Sequence, residues 1–245
     1  MKYLFESDRM LQRILDSIFP RTCPVCGEIV MPRGQLICRD CLSLLSFVRS
    51  PVCEKCGKEI LTGSRKLCYD CAHRERTFTA NRALLNYEEN ARRCMAKIKY
   101  KNCREHTELF GKMMAIRLCD FILEMNPDCL VPVPAHISRQ KMRGYNQAEL
   151  IAEVIGRETD IPVRADLLIR RKHTAAMKNL GAEDRLNNLR EAFAVCDTGI
   201  PKEIKRIMLV DDIFTTGATI EACSKILCAE GVETSSICVC IGSDI

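Results

Sequence analysis

Short apolar runs alternate with longer amphipathic stretches along residues 77–245. Phe78–Tyr87, Leu130–Pro134, Leu167–Ile169, Arg206–Val210 and Ser235–Ile241 are aliphatic and bounded by turn residues, and they read as strands. Asn90–Ile98, Thr107–Met125, Gln147–Glu158 and Thr216–Ala229 repeat apolar positions at helical spacing. Strands alternating with helices of this length predict an α/β domain with a mainly parallel sheet. Ligands of such sheets bind outside the carboxyl ends of the strands, which says where to look for chemistry. Upstream, Leu4, Leu11, Leu15 and Ile18 share one helical face that Pro20 ends, so residues 1–20 predict an amphipathic helix.

Residues 21–76 follow neither period, and their composition explains why. Seventeen cysteines occur in 245 residues, and eight of them form the pattern Cys23-x2-Cys26, Cys38-x2-Cys41, Cys53-x2-Cys56, Cys68-x2-Cys71. Each half reads C-x2-C-x11-C-x2-C, and the second repeats the first. A C-x2-C pair puts two thiolates on one turn, and the eleven-residue spacer allows a short hairpin to return a second pair. Four sulfurs then surround a structural Zn2+, which predicts two zinc ions and no open catalytic position. Two sequential ribbons are favoured, while a cross-braced pair uses the same eight ligands. A disulfide framework is disfavoured in a reducing compartment. Gly27 and Gly57 stand where such a turn needs a left-handed backbone.

Charge adds little by itself: 37 Lys/Arg less 32 Asp/Glu gives a net +5. A local excess stands out at residues 91–117, with eight Lys/Arg against two Asp/Glu, and favours contact with phosphate backbones, Lys97, Lys99, Lys101 and Arg104 above all. No run of eighteen apolar residues occurs, which excludes a spanning helix. Glu6, Asp8 and Asp16 interrupt the first twenty residues, unlike a secretory signal. A cytoplasmic protein is expected.

The strongest chemical signal is Ile207-Met208-Leu209-Val210-Asp211-Asp212-Ile213-Phe214-Thr215-Thr216-Gly217-Ala218-Thr219-Ile220. An apolar strand delivers two acids, and a Thr-Thr-Gly turn then opens a helix. Unpaired N–H groups at a helix start, with Thr215, Thr216 and Thr219 hydroxyls beside them, suit a phosphate monoester. Gly217, followed by Ala218, would let the backbone approach that phosphate. Asp211 and Asp212 suit ribose hydroxyls or the waters of Mg2+. The simpler alternative is an ordinary helix cap with two solvated acids.

At these residues the sequence resembles the type I phosphoribosyltransferases. Ile98-Lys99-Tyr100-Lys101, Val131-Pro132-Val133-Pro134 with His136, Arg143-Gly144-Tyr145-Asn146-Gln147-Ala148-Glu149-Leu150, Arg185 with Asn188 before Phe193, and the duplicated cysteine block together resemble the ComF family of competence proteins. The resemblance covers nearly the whole chain. It implies a Rossmann-like type I phosphoribosyltransferase domain over 77–245, behind a small double zinc ribbon over 21–76. It also implies phosphoribosyl diphosphate (PRPP) or ribose 5-phosphate as ligand with Mg2+, a link to DNA uptake in transformation, and single-stranded DNA and competence-machinery proteins as partners. In that reading Asp211, Asp212, Arg143 and Lys99 carry the chemistry. Pro134, Ala135, His136 and Lys101 would face the pyrophosphate, and Arg170 would begin a lid through Arg171, Lys172 and His173. Two residues depart from the family pattern: Met177 stands in place of a Gln, and Asn102 in place of a Gly. A DNA-binding factor without turnover and a PRPP sensor remain the competing functions.

Overall fold

The computed structural model describes residues 20–60, 65–171 and 192–242. The expected helix at 1–20, apart from Pro20, lies outside them, as do the expected lid residues Lys172 and His173 and the family-pattern positions Met177, Arg185 and Asn188. Four strands, β1 (Asn81–Asn86), β2 (Cys129–Pro132), β5 (Arg206–Phe214) and β6 (Glu233–Ile241), form a sheet in the order β1-β6-β5-β2. Every pairing in it is parallel. A separate antiparallel hairpin joins β3 (Leu168–Arg170) to β4 (Phe193–Val195).

Alternating side chains explain why the sheet needs cover on both faces. Leu130, Met208, Val210, Ile237 and Val239 pack beneath α3 (Glu89–Tyr100), α4 (His106–Arg117), α5 (Cys119–Met125) and α7 (Gln147–Thr159). Their neighbours Val131, Ile207, Leu209 and Cys238 face α8 (Ala218–Ala229) and the β3–β4 hairpin on the other side. Burial on both faces is why these strands read as continuous apolar runs.

The two cysteine repeats fold alike. In each, the first pair sits on a turn closed by Gly27 N–H to Cys23 O and Gly57 N–H to Cys53 O, both 2.9 Å. The second pair does not return on a hairpin turn as expected. Cys38 and Cys68 instead cap the short helices α1 (Arg39–Ser43) and α2 (Tyr69–His73), which carry Cys41 and Cys71. The blocks share cores with the sheet: Val25, Leu36 and Ile37 pack on the α3–α4 side, while Cys53, Cys56 and Cys71 join Leu209 and Phe214 on the other.

Several expected boundaries shift. The stretch predicted as one helix at 107–125 breaks at Leu118 into α4 and α5. Its apolar spacing runs straight through the break, so periodicity could not show it. Between β2 and α7 an additional helix, α6 (Ile137–Arg143), ends at Gly144 in a left-handed conformation. Asn102 also takes a positive φ of 53° after α3. Asparagine is among the few residues that enter that region cheaply, so it can replace glycine there.

The shift that matters most is in β5, which runs four residues past the expected end and holds both acids inside the strand. β2 stops at Pro132, opposite Val210. Beyond that point β5 pairs only with β6, at Asp211 with Cys238 through Phe214 with Ile241. The overhang leaves one flank of Asp211 and Asp212 open to a cavity.

Candidate functional site

The cavity beside the overhang holds about 260 Å³. Ten of the expected site residues line it: Lys99, Pro134, Ala135, His136, Arg143, Arg170, Asp211, Asp212, Thr215 and Thr219. Lys101, Thr216, Gly217 and Ala218 are not among its walls. Lys101 is exposed just past the end of α3. Gly217 caps α8 at φ +75°, and a Cβ there would collide with the Phe214 ring. That ring and the left-handed backbone by themselves demand a glycine here.

Asp212 is the most heavily engaged group. Its Oδ2 meets Lys99 Nζ at 2.8 Å and accepts a hydrogen bond from Gln147 Nε2 at 2.6 Å. Arg143 Nη1 donates to Gln147 Oε1 at 3.0 Å, and its guanidinium lies over the Tyr100 ring at 5.3 Å. A chain therefore runs from Tyr100 through Arg143 and Gln147 to Asp212, with Lys99 entering from the last turn of α3. Arg143 and Arg170 each keep a buried Nε without a partner among the described residues. The same is true of Arg76 and Arg206 outside the cavity, so it is the guanidinium charge of Arg143 and Arg170 in the wall, and not the orphaned Nε, that suits an incoming anion.

Asp211 sits beside Asp212 at the same wall. Burial raises its pKa, the Asp212 charge adds to the effect, and the Asp212 N–H, Lys99 and Arg170 oppose it, leaving a value of about 7. A raised carboxyl costs stability when ionised, so the cost is absent below the unfolded value and grows until pH passes the folded one. Asp211→Asn is expected to stabilise the protein, by an amount that increases from about pH 4 to about pH 7 and is constant above it. The gain should reach at least about 1.4 kcal/mol, the equivalent of one pKa unit. Urea unfolding of both proteins across that range measures it, and a pH-independent difference would refute the assignment.

Sequence reasoning missed Arg139 and Tyr87, which also line the cavity. Arg139 and Arg143 are four apart on α6, a spacing that places them on one helical face once that helix is recognised. Asn146 caps α7: its side chain accepts from Ala148 N–H and donates to Val133 O at 3.0 Å. That bond ties the start of α7, and with it Gln147, to the β2–α6 loop.

The cysteines segregate into Cys23, Cys26, Cys38, Cys41 and Cys53, Cys56, Cys68, Cys71, each set with its ligand atoms within 4.8 Å of one another. Connectivity is therefore sequential and not cross-braced. Burial opposes ionisation of Cys23, but N–H groups of Cys38, Cys26 and Val25 outweigh it and bring the thiol down to about 7. Cys53 behaves identically, at about 7, through Cys56, Cys68 and Lys55. Burial and the neighbouring thiolates push Cys41 up to about 12 and Cys71 to about 11. Such a set cannot be fully ionised without a cation, and four sulfurs at this spacing fit tetrahedral zinc. Residues 14–72 match the family model of the double zinc ribbon domain. The N-terminal block is a double zinc ribbon.

Beyond the double zinc ribbon, the chain is related to proteins of competence and DNA utilisation. It is 41% identical over 107 residues to Competence protein F of Haemophilus influenzae, covering 44% of this chain and 47% of that protein. DNA utilization protein YhgH of Escherichia coli K12 is 30% identical over 115 residues, 46% of this chain and 49% of the relative. Competence protein ComFC of Bacillus subtilis is 25% identical over 226 residues, 90% of this chain and 77% of that one. The chain spans about half the length of the first two relatives. Among solved structures, adenine phosphoribosyltransferase from Leishmania tarentolae aligns over 56% of this chain and 71% of its own, at 16% identity and a TM-score of 0.34. No helix among the described residues is long and apolar enough to cross a membrane.

Proposed function

We propose that the chain is a cytoplasmic protein of DNA uptake whose cavity binds PRPP or ribose 5-phosphate with Mg2+. The observation that carries this reading is the meeting, in one cavity, of Thr215 and Thr219, the acids Asp211 and Asp212, and a cationic arc of Lys99, Arg139, Arg143 and Arg170. The start of α8 and its threonines suit the 5′-phosphate. Asp211 and the second oxygen of Asp212 suit the ribose hydroxyls or the waters of Mg2+, because Oδ2 of Asp212 is already taken. The arginines and the Pro134–His136 loop suit the pyrophosphate. As a transferase the site would stabilise charge on the departing pyrophosphate, which leaves with the electron pair of its bond to the anomeric carbon. The names of the relatives, competence and DNA utilisation, support the cellular role.

A second reading, single-stranded DNA binding without turnover, is favoured by one surface. Tyr100 is 71% exposed and sits beside exposed Lys101 and Arg104. An accessible ring flanked by cations suits base stacking along a strand. Lys97 and Lys99 do not belong to this surface, contrary to the sequence expectation. Lys97 is bonded to Pro24 and Val25 carbonyls, and Lys99 to Asp212.

Calorimetric titration with PRPP, with and without Mg2+, followed by a pyrophosphate-release assay over nucleobases and small amines, tests the first reading. Mg-dependent binding is expected. An absence of heat with PRPP, ribose 5-phosphate and nucleotides would sink it. Binding without release, together with affinity for a labelled single strand that Lys101→Glu/Arg104→Glu abolishes, would establish the second.

A further inference from the structure

The last turn of α3 is fastened to three different elements by three consecutive residues. Lys97 Nζ donates to Pro24 O at 2.9 Å and to Val25 O at 3.2 Å. The Ile98 carbonyl accepts from the Tyr145 hydroxyl. Lys99 reaches Asp212. Pro24 and Val25 are the two residues between the ligands Cys23 and Cys26. A Cβ on Gly27 would lie 3.4 Å from the Lys97 ammonium, so that group rests on the metal-binding turn itself.

The duplication supplies an internal comparison. In the second ribbon, the Lys55 carbonyl is held by the main-chain N–H of Asn81 and the Cys56 carbonyl by its side-chain amide, both at 2.8 Å. Asn81 is fully buried, and a Cβ on Gly57 would stand 2.5 Å from its carbonyl oxygen. The second turn is thus fixed by the main chain and a buried amide at the start of β1. In the first, Val25 O, the equivalent of Lys55 O, and the neighbouring Pro24 O are held by a flexible lysine two residues from the cavity-lining Lys99, with Cys94 Sγ also donating to Pro24 O at 3.3 Å. The first cluster is also the more accessible: Cys26 is exposed, whereas Cys53, Cys56 and Cys71 are buried.

We propose that Lys97 is a positioning residue that links the first four-cysteine cluster to Asp212, so that the metal state of that cluster sets the charge arrangement of the cavity. With zinc held, the Pro24 and Val25 carbonyls fix Lys97, the last turn of α3 stays formed, and Lys99 remains on Asp212. When a chelator removes that zinc the turn opens, Lys97 loses its acceptors, and Lys99 is released. The cavity then loses a cation and Asp212 regains a free oxygen. The link rests on the contacts of α3; only its consequence for ligand affinity rests on the PRPP reading.

The test is acetylation of Lys99 in the full-length, zinc-loaded protein by a water-soluble reagent, followed by peptide mass spectrometry. Lys97→Met, with zinc content unchanged, should acetylate at Lys99 about tenfold faster than wild type, within the range of coupled sites. Cys26→Ser should do the same, and Lys97→Arg, which keeps donors, should restore protection. Lys58, 13% exposed beside the second cluster, is the reference and should not change. Equal acceleration at Lys58 would assign the effect to general unfolding and overturn the proposal, as would an unchanged Lys99 rate in Lys97→Met. In a second arm, Cys26→Ser, which disables the first cluster alone, should weaken Mg-dependent PRPP binding in the wild-type background and cause no further loss in Lys97→Met; an equal loss in both would also overturn it. Wild type that binds no PRPP would refute the cavity reading while the acetylation result still decides the link.

Discussion

Cys53→Ser is expected to unfold the chain as a whole and not only the second ribbon. Cys53 is fully buried in the same cluster as Leu209, Phe214 and Cys238, so its turn is a wall of the sheet's own core. Asn81, the first residue of β1, spends its main-chain N–H and its amide on that turn. Binding free energy at a structural zinc is folding free energy, about 10–16 kcal/mol in isolated zinc-finger peptides. That is as large as the roughly 5–15 kcal/mol by which most domains are stable, so the sheet should not survive loss of the site. Cys26→Ser, at the exposed corner of the first cluster, should be milder and leave a folded sheet with about one zinc per chain. Elemental analysis with thermal melting of both variants checks this. A protease-resistant fragment over 77–245 in Cys53→Ser would show that the sheet stands without the ribbon.

Asp212→Asn should cost stability as well as ligand affinity. Lys99 and Asp212 have side chains only 18% and 9% exposed, so each has given up most of its water for the other. Removing one partner of a buried pair leaves an uncompensated charge, at a cost of about 3–5 kcal/mol. Gln147 would also trade a charge-assisted bond for a neutral one. Lys99→Met/Asp212→Asn should recover much of the loss, because no unpaired ion remains. Urea unfolding of the two single variants and the double variant closes the cycle. A single-variant loss within about 0.5 kcal/mol would mean that Asp212 is in effect a solvated acid. Mg-dependent PRPP binding should fall in Asp212→Asn by roughly 1.5–3 kcal/mol, the worth of a charge-assisted hydrogen bond.

Much of the molecule was legible in sequence because the signals are local. Eight cysteines at fixed spacing imply two metal sites wherever the rest of the chain goes, since a C-x2-C turn is self-contained. The run from Ile207 to Ile220 likewise carries its own strand, acids and helix start, and periodicity marked the other strands and most helices. The errors were of two kinds. Helix α6 and the break at Leu118 escaped because one is too short to show a period and the other leaves the period unbroken. The length of β5 escaped because Asp211 and Asp212 resemble the end of a strand, yet pairing with β6 continues through them.

Sequence by itself therefore determined the architecture, the metal chemistry and the segment that supplies the acids. Tertiary structure alone decided the partners. Gln147 meets Asp212 from 65 residues away, and Lys97 meets Val25 across 72. Nothing in the spacing of such residues specifies the contact, because it arises only when the helices settle on the sheet. A lysine pair two residues apart reads as solvated charge in sequence. Folding turns one ammonium onto the zinc turn and the other onto an acid, because α3 packs between the first ribbon and the overhang of β5, where each buried cation finds the acceptor it needs.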